Sequence, residues 1–247
     1  MQFEYTHPQT EVERLLGGFH EINAFGPIED GDDTKFEDFL RRVAPPPRTP
    51  IHIDSEGGFV EAALSIGRII RASWYSTSIG KYILDHDRHR EHIIPRMLLP
   101  GSCLSAATLM YLGGRLRHFP IGSRFGVHQF SFRNPTPDYI GKSQILSSKI
   151  AQYVFDMGIS SQFLEISSST DVIKLIEVDE LKELRVVTGG QTDVEWSVQA
   201  TGMLYVRGER DSIFGHHKVM LGYTKQSGFF VLDRDRGPRS RSRTDWF

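Results

Sequence analysis

A serine and a histidine in two separate motifs are of the residue types that perform acyl transfer. Ser105 lies in PGSCLSAATLMYLGG, Pro100 to Gly114, directly before an apolar run that predicts a helix. A helix N-terminus offers unpaired N–H groups and partial positive charge, which would stabilise an alkoxide on Ser105 and an oxyanion beside it. Serine is also a favoured N-cap residue, and this segment by itself favours that structural role. A nearby base would favour the nucleophile.

His128 is the candidate base. It lies in FGVHQF, a run that predicts a strand after the Ser105 helix. A β-α-β crossover brings the end of such a strand to the same sheet edge as the preceding helix start, where the imidazole could take the serine proton. Histidine in a strand is more often structural than catalytic, so His128 gains its significance from Ser105.

Two glycines supply the third element. Gly57 and Gly58 follow the predicted strand IHID and precede a predicted helix from Phe59 to Arg71. Glycines at such a turn allow unusual dihedral angles and leave backbone N–H groups uncovered, as an oxyanion hole requires. A plain tight turn is the structural alternative.

The elements around these residues alternate between strand and helix. In chain order they are IHID, the helix Phe59 to Arg71, STSIGKYI, the helix CLSAATLMYLGG and RFGVHQF. Such alternation predicts an α/β fold with a parallel sheet covered on both faces.

The three motifs IHIDSEGGFVEAALSIGRIIR, CLSAATLMYLGG and FGVHQF, in this order, resemble those of the Clp-type serine peptidases of the Clp/crotonase superfamily. The resemblance covers about 51–188 and is nearest to a divergent Clp-like branch. It implies a core of repeated β-β-α units, with Ser105 as nucleophile and His128 as general base. It also implies an oxyanion hole at Gly57, Gly58 and Ala106, with the N–H groups of Gly58 and Ala106 as donors.

The third member of the triad is less well specified. The resemblance implies an aspartate after the long helical region, and Asp171 in SSSTDVIKLIEVDELKELRVVT is near that position. Ser169 or a backbone carbonyl are the alternatives for orienting His128, and the third member could also be absent. A weakly oriented base would make turnover slow.

Three other functions remain open. An inactive or weak Clp-like scaffold would bind peptides or protein partners. A crotonase-type acyl-CoA enzyme would use the same glycine hole without needing the Ser–His pair, so that pair counts against it. A Ser–Lys peptidase would use Lys142 or Lys149 as base, and His128 makes it less attractive.

The chain is expected to have four parts. They are an N-terminal segment with a short helix and a Pro-rich connector (1–50), a Clp-like α/β core (51–189), an antiparallel β appendage (190–234) and a flexible Arg-rich tail (235–247). An insertion at 83–98 could cover the site. From the resemblance we expect a homo-oligomer that assembles through the helix Tyr139 to Asp156; it does not specify an unfoldase partner.

Composition points to an ordinary soluble protein. The chain has 247 residues, a net charge of −2 and a single cysteine, Cys103, which fits a reducing compartment. With neither a signal peptide nor a membrane span recognisable, we expect a cytoplasmic protein that acts on a peptide or protein substrate without contacting membranes.

No cofactor or metal is expected. Two histidine groups are better explained as solvated residues than as zinc ligands, because no cysteine or open-site motif accompanies them. They are His86, His89 and His92 in the insertion, and His216 with His217 in the appendage. The Arg-rich tail also contains aspartates and lacks aromatic residues between its arginines, so nucleic acid is an unlikely partner.

Overall fold

The computed structural model describes the chain except for residues 86, 88–90, 130–138, 201–202, 226–227, 237–242 and 247. It divides into two compact units, residues 1–187 and 188–247. Among the described residues, no helix is both long and apolar enough to cross a membrane.

The first unit alternates strands and helices along most of its length. Its strands are β1 (Gln2–Thr6), β2 (Glu21–Phe25), β3 (Pro50–Asp54), β4 (Ser76–Ile79), β5 (Lys81–Leu84), β6 (Arg96–Leu99), β7 (Ser102–Leu104), β8 (Arg117–His118), β9 (Arg124–Val127) and β10 (Lys174–Leu175). Its helices are α1 (Glu11–Leu16), α2 (Asp32–Val43), α3 (Val60–Ala72), α4 (Ala107–Leu112), α5 (Tyr139–Asp156), α6 (Gln162–Ser168) and α7 (Val178–Glu183). The predicted mixture of helices and strands is therefore confirmed.

The central sheet has the order β1-β2-β3-β4-β8. β2, β3, β4 and β8 are parallel, and β1 is an antiparallel edge strand. Alternate residues of the middle strands, including Ile22, Ile51, Ile53 and Ile79, are fully buried. They belong to one core with the apolar faces of α2 and α3, where apolar residues recur at helical spacing.

A second, three-stranded sheet of order β10-β9-β7 positions the candidate site. β7 and β9 are parallel, while β10 is antiparallel to β9. A parallel bridge between Ser55 and Cys103 joins this sheet to the residues that follow β3. The ends of β3, β7 and β9 are thereby held close together.

Several predicted boundaries needed correction. STSIGKYI is two strands rather than one, because Gly80 has a φ of +128° and separates β4 from β5. CLSAATLMYLGG begins as strand β7 and becomes helical only at Ala107, since Cys103 and Leu104 pair with Phe125 and Gly126. The insertion at 83–98 contributes to a two-stranded antiparallel hairpin of β5 and β6.

The predicted division of the chain also differs from the structure at three places. Residues 1–50 are part of the first unit rather than a separate segment, because β2 pairs with β3 inside the buried central sheet. The second unit begins at Thr188, slightly before the predicted appendage. Residues 243–246 of the predicted flexible tail form a strand paired with its neighbour.

The second unit is an antiparallel sheet, as predicted for the appendage. Its strands, in spatial and chain order, are β11 (Glu195–Ala200), β12 (Leu204–Ser212), β13 (Gly215–Thr224), β14 (Gly228–Arg236) and β15 (Arg243–Trp246). Each strand pairs with the next one along the chain, which makes a simple meander.

Candidate active site

Ser105 occupies a sharp turn between β7 and α4. Its backbone N–H donates to the Gly126 carbonyl of β9 at 2.9 Å, which fixes the turn against the neighbouring strand. Its φ is +55°, a left-handed conformation that is costly for a residue with a side chain. The chain thus holds the Ser105 side chain in place at the junction of a strand and a helix.

The Ser105 hydroxyl contacts an imidazole and does not cap the helix. Oγ lies 2.8 Å from Nε2 of His128. The N-cap position of α4 is Ala106, and no side-chain hydrogen bond caps that helix. The first helical contact is made by the Ser105 carbonyl, which accepts from the Thr108 N–H at 3.1 Å. At this distance the imidazole could accept the hydroxyl proton.

His128 directly follows β9 and is half-buried. β9 is held on both sides, by β7 and by β10, so its end is well supported. A neutral imidazole that accepts the Ser105 proton on Nε2 carries its own proton on Nδ1. The described residues provide no hydrogen-bond partner for Nδ1.

Asp171 is near His128 along the backbone, but its carboxylate does not contact the imidazole. The Gln129 N–H donates to the Thr170 carbonyl at 2.7 Å, so the segment containing Asp171 runs beside the residue that follows His128. Asp171 is exposed, and it makes no hydrogen bond or ion pair with any described residue. The alternative, Ser169, donates to the Ile166 carbonyl at 2.9 Å instead. Neither residue orients the imidazole in this structure.

The glycine pair lies against Ser105, and its two members do different things. The Gly57 N–H donates to Oγ of Ser55 at 3.1 Å, so it is already used inside the protein. A Cβ on Gly57 would lie 2.7 Å from the Cβ of Ser105 and 3.0 Å from the Ala106 nitrogen, so only glycine allows this approach. Gly57 therefore leaves room for Ser105 and Ala106 to approach. Its N–H is not free for an oxyanion, although the sequence suggested that it could be a donor.

The backbone N–H groups of Gly58 and Ala106 are the donors expected from the resemblance. In the parallel bridge between Ile28 and Gly58, the bonds run from the Ile28 N–H to the Gly57 carbonyl and from the Phe59 N–H to the Ile28 carbonyl. This pattern turns the N–H of Gly58 away from Ile28. Neither the Gly58 nor the Ala106 N–H donates to another described residue. Within the described part of the chain, these two N–H groups are thus not used by other acceptors.

A cavity of about 470 Å³ opens beside the Ser–His pair. Ser105, Ala106 and His128 form part of its wall, and the rest comes mainly from α4, α5 and α6. The described lining residues include no Asp, Glu, Lys or Arg. The other lining residues are the apolar Val60, Leu109, Val127, Ile150, Ala151, Phe163 and Leu164 and the polar Thr108, Gln129, Ser143, Ser147, Ser167 and Ser168.

Two residues that the sequence analysis did not single out stabilise this arrangement. Asp54 accepts the Ser102 N–H through Oδ1 at 2.9 Å, which joins the end of β3 to the start of β7. Ser55 donates through its hydroxyl to the Gly26 carbonyl at 2.8 Å and accepts from Gly57. Both residues lie in the IDSEGG motif. A polar pair between a buried strand and two glycines is the sequence feature that could have identified them.

The other candidates from the sequence lie elsewhere. Lys149 is exposed and pairs with Glu61 at 2.9 Å, and Lys142 is also exposed, so neither contacts Ser105. In the appendage, His217 Nε2 lies 2.6 Å from Ser212 Oγ and His216 Nδ1 lies 3.0 Å from Asp211. The described part of the chain contains no group of three or more residues suited to hold a metal ion. His86 and His89 lie outside the described residues.

Comparison with protein-family models and with curated proteins finds no match for this chain.

Proposed function

We propose that the protein is a serine hydrolase, and specifically a Clp-like peptidase, in which Ser105 is the nucleophile and His128 the general base. The observation that carries the proposal is the 2.8 Å contact between Ser105 Oγ and His128 Nε2 beside an open cavity. The fold proposed for the first unit is the Clp/crotonase-like core of repeated β-β-α units. It is supported by the order of the glycine pair, the serine turn and the histidine that follows a strand.

The chemistry proceeds in two halves. As Ser105 Oγ bonds to the carbonyl carbon of the substrate, His128 Nε2 takes the hydroxyl proton. That proton passes to the amine as the amide bond breaks, which leaves an acyl group on Ser105. Water then attacks the acyl carbon while His128 Nε2 takes one of its protons. That proton passes to Ser105 Oγ as the acyl–oxygen bond breaks, which releases the carboxylic acid and restores the serine and the neutral imidazole.

The negative charge that develops on the substrate oxygen needs donors that are already in place. The N–H groups of Gly58 and Ala106 suit this task because neither donates to another described residue. Loss of one such donor typically slows an acyl-transfer enzyme by about 100-fold or more. The cavity next to Ser105 would accept an uncharged side chain of the substrate.

Assembly into a homo-oligomer is part of the same proposal. The helix α5, which the resemblance assigns to contacts between subunits, exposes large apolar side chains among its described residues. Ile145 is 60% exposed and Phe155 is 78% exposed. Side chains of this kind on one long helix are suited to contacts with a second subunit.

The proposal is tested by hydrolysis of a library of quenched fluorescent peptides. We expect the parent chain to cleave a subset of them, and Ser105→Ala to lower kcat/KM by roughly 10⁴-fold or more. Ser148→Ala is the matched control, because Ser148 is an exposed serine of α5 that does not line the cavity. Equal cleavage by the parent and Ser105→Ala would refute the proposal.

A catalytically weak or inactive scaffold is the second candidate, and it is favoured because no described residue is a hydrogen-bond partner of His128 Nδ1. A histidine base that lacks such a partner is less well oriented toward its serine. This function predicts that the parent and Ser105→Ala bind peptides with the same affinity, while neither cleaves any of them. Fluorescence anisotropy with the peptides of the hydrolysis library measures both properties.

A further inference from the structure

The cavity beside Ser105 is larger than one amino-acid side chain requires. Its volume is about 470 Å³, and the lining residues that the structure describes all belong to the first unit. An apolar cavity of about 150 Å³ is enough to hold benzene, which is the ring of a phenylalanine side chain. The cavity therefore has room for an apolar group about three times as large as that ring.

The buried part of the cavity wall is apolar. Leu109, Val127 and Phe163 are buried and belong to the hydrophobic core of the first unit. Ile150 and Leu164 pack against the same core. A hydrocarbon group placed against this wall gains free energy, because apolar surface of the group and of the wall is removed from water.

Two hydroxyl groups of the wall are already used inside the protein. Thr108 Oγ1 donates to the Ser105 carbonyl at 2.7 Å, and Ser167 Oγ donates to the Leu164 carbonyl at 3.1 Å. These two groups therefore do not offer their protons to a ligand. The described lining residues also include no charged side chain, so the cavity suits a hydrocarbon group better than a polar one.

The environment of His128 favours an ester over an amide as the bond that is cleaved. No described residue is a hydrogen-bond partner of His128 Nδ1, and a histidine base that lacks such a partner is less well oriented. The alcohol of an ester leaves with less help from a general acid than the amine of an amide does. A less well oriented histidine is thus better matched to ester hydrolysis.

We propose that the site hydrolyses carboxylic esters of hydrocarbon acyl chains that are longer than an amino-acid side chain, with the acyl chain in the cavity. This inference rests on the proposed function, because it uses Ser105 as the nucleophile. Ser105 Oγ bonds to the ester carbonyl carbon while His128 Nε2 takes the hydroxyl proton, and that proton leaves with the alcohol as the ester C–O bond breaks. Water then attacks the acyl carbon and gives a proton to His128. That proton returns to Ser105 Oγ as the carboxylic acid leaves, so the reaction consumes one water and no other reactant.

The chain-length dependence of ester hydrolysis by the full-length protein tests the inference. Para-nitrophenyl butanoate and para-nitrophenyl octanoate share a leaving group, and their acyl chains differ by four methylene groups. Each methylene that is fully buried contributes about 4-fold to binding. We expect kcat/KM to be at least about 10-fold higher for the octanoate, as measured by release of para-nitrophenolate.

Substitutions that fill the cavity test where the acyl chain lies. Ala151 lines the cavity from α5, so Ala151→Phe should lower kcat/KM for the octanoate toward the value for the butanoate. Ser148→Phe is the matched control, because it adds the same side chain to α5 outside the cavity and should keep the preference of the parent. Ile150→Trp is a second filling substitution if Ala151→Phe folds poorly by circular dichroism.

The inference is overturned if the parent hydrolyses neither ester, if it hydrolyses both with equal kcat/KM, or if both filled variants keep its preference. A preference for the octanoate that the filled variants lose and Ser148→Phe retains supports it. Ser105→Ala separates this inference from the proposed function. If Ser105→Ala hydrolyses the octanoate as fast as the parent, both fail, whereas hydrolysis that depends on Ser105 but not on chain length overturns the acyl-chain inference alone.

Discussion

The backbone of Ser105 is as unusual as its contact with His128. Its φ of +55° is unfavourable for a residue with a Cβ, typically by about 1–2 kcal/mol. The surroundings maintain it through the Ser105 N–H bond to Gly126 and the close approach of Gly57. Strain of this kind is often found at functional sites, where the structure holds a side chain in a position that it would not otherwise adopt.

The strained backbone of Ser105 predicts that a serine at this position lowers the stability of the folded protein while it serves function. Ser105→Gly removes the steric cost of the left-handed backbone, whereas Ser105→Ala retains it, and both lose the hydroxyl. Because glycine also gains freedom in the unfolded chain, we expect Ser105→Gly to be more stable than Ser105→Ala by only about 1 kcal/mol. Urea denaturation of the two variants gives the difference. An alanine variant as stable as the glycine variant would show that the turn is not strained.

The residues of the site differ in how far the sequence could predict them. The structure brings Ser105 and His128 together as the motifs suggested, since strand and helix ends on either side of a crossover converge. The position of Asp171 could not be predicted, because the irregular chain before β10 carries no periodicity that fixes its alignment. Gly57 and Gly58 differ because the Gly57 N–H donates to Ser55. No local sequence pattern reveals this contact.

At the scale of elements, the hairpin of β5 and β6 is attached to α1 by a buried carboxylate. Glu13 is fully buried and lies 2.7 Å from Arg96 of β6. It also accepts the Ile94 N–H at 2.8 Å and the Gln9 N–H at 2.6 Å. Arg96 first, and then these backbone donors, lower the pKa of Glu13 to about 2 against the opposing effect of burial.

This contact predicts an acid-sensitive stability. Since the pKa of Glu13 is lower in the folded chain, its contribution is complete above its ordinary pKa of 4.5 and is lost as the pH falls toward about 2. Glu13→Gln removes the charge and leaves Arg96 buried, so we expect a loss of about 3 kcal/mol at pH 7. The variant should also lose less stability than the parent between pH 4.5 and 2.

Urea titrations at several pH values measure both effects. Glu11→Gln is the control, because Glu11 is an exposed residue of the same helix. If Glu13→Gln and Glu11→Gln are both as stable as the parent at pH 7, the Glu13–Arg96 pair does not stabilise the hairpin.

Sequence patterns predicted the helices better than the strands. The helix α3 has apolar residues at regular helical spacing, and its bounds, Val60–Ala72, agree closely with the predicted Phe59 to Arg71. The strands were harder because they are short and buried on both sides, so no alternation marks their ends. The division of STSIGKYI at Gly80 depends on the backbone of Leu99, whose carbonyl would lie 2.1 Å from a Cβ at that position.

At the scale of the whole molecule, Arg117 connects the last residues of the first unit to the segment that follows α4. Its guanidinium donates to the carbonyls of Arg185 and Val186, near the end of that unit, and to those of Leu112 and Gly114 after α4. The side chain is buried, and burial lowers the pKa of Arg117 to about 10, so the residue remains charged at neutral pH. It therefore joins two segments that are distant in sequence.

We expect Arg117→Lys to destabilise the protein by about 3 kcal/mol. A lysine keeps the charge but cannot reach all four carbonyls, and buried acceptors without donors are costly. Arg68→Lys is the control, because Arg68 is half-exposed and its ion pair with Asp156 contributes less than about 1 kcal/mol. Thermal and urea denaturation measure the two variants. If both variants lose equally little stability, the Arg117 contacts do not stabilise the first unit.

The division of the chain into two units could be predicted only in part from the sequence. The β appendage was predicted because its strands alternate and are separated by turn residues, which is a local signal. The inclusion of residues 1–50 in the first unit was not predicted, because it depends on the pairing of β2 with β3 across the connector. Such long-range pairing leaves no mark in either strand alone.

The most direct test of the central claim is the covalent modification of Ser105. The full-length protein is incubated with a fluorophosphonate, and intact mass with peptide mapping locates the adduct. We predict a single adduct on Ser105, no adduct on Ser105→Ala and labelling of His128→Ala slowed by at least about 100-fold. Equal labelling of the parent and Ser105→Ala, or a parent that does not react, would contradict the assignment of Ser105 as an activated nucleophile.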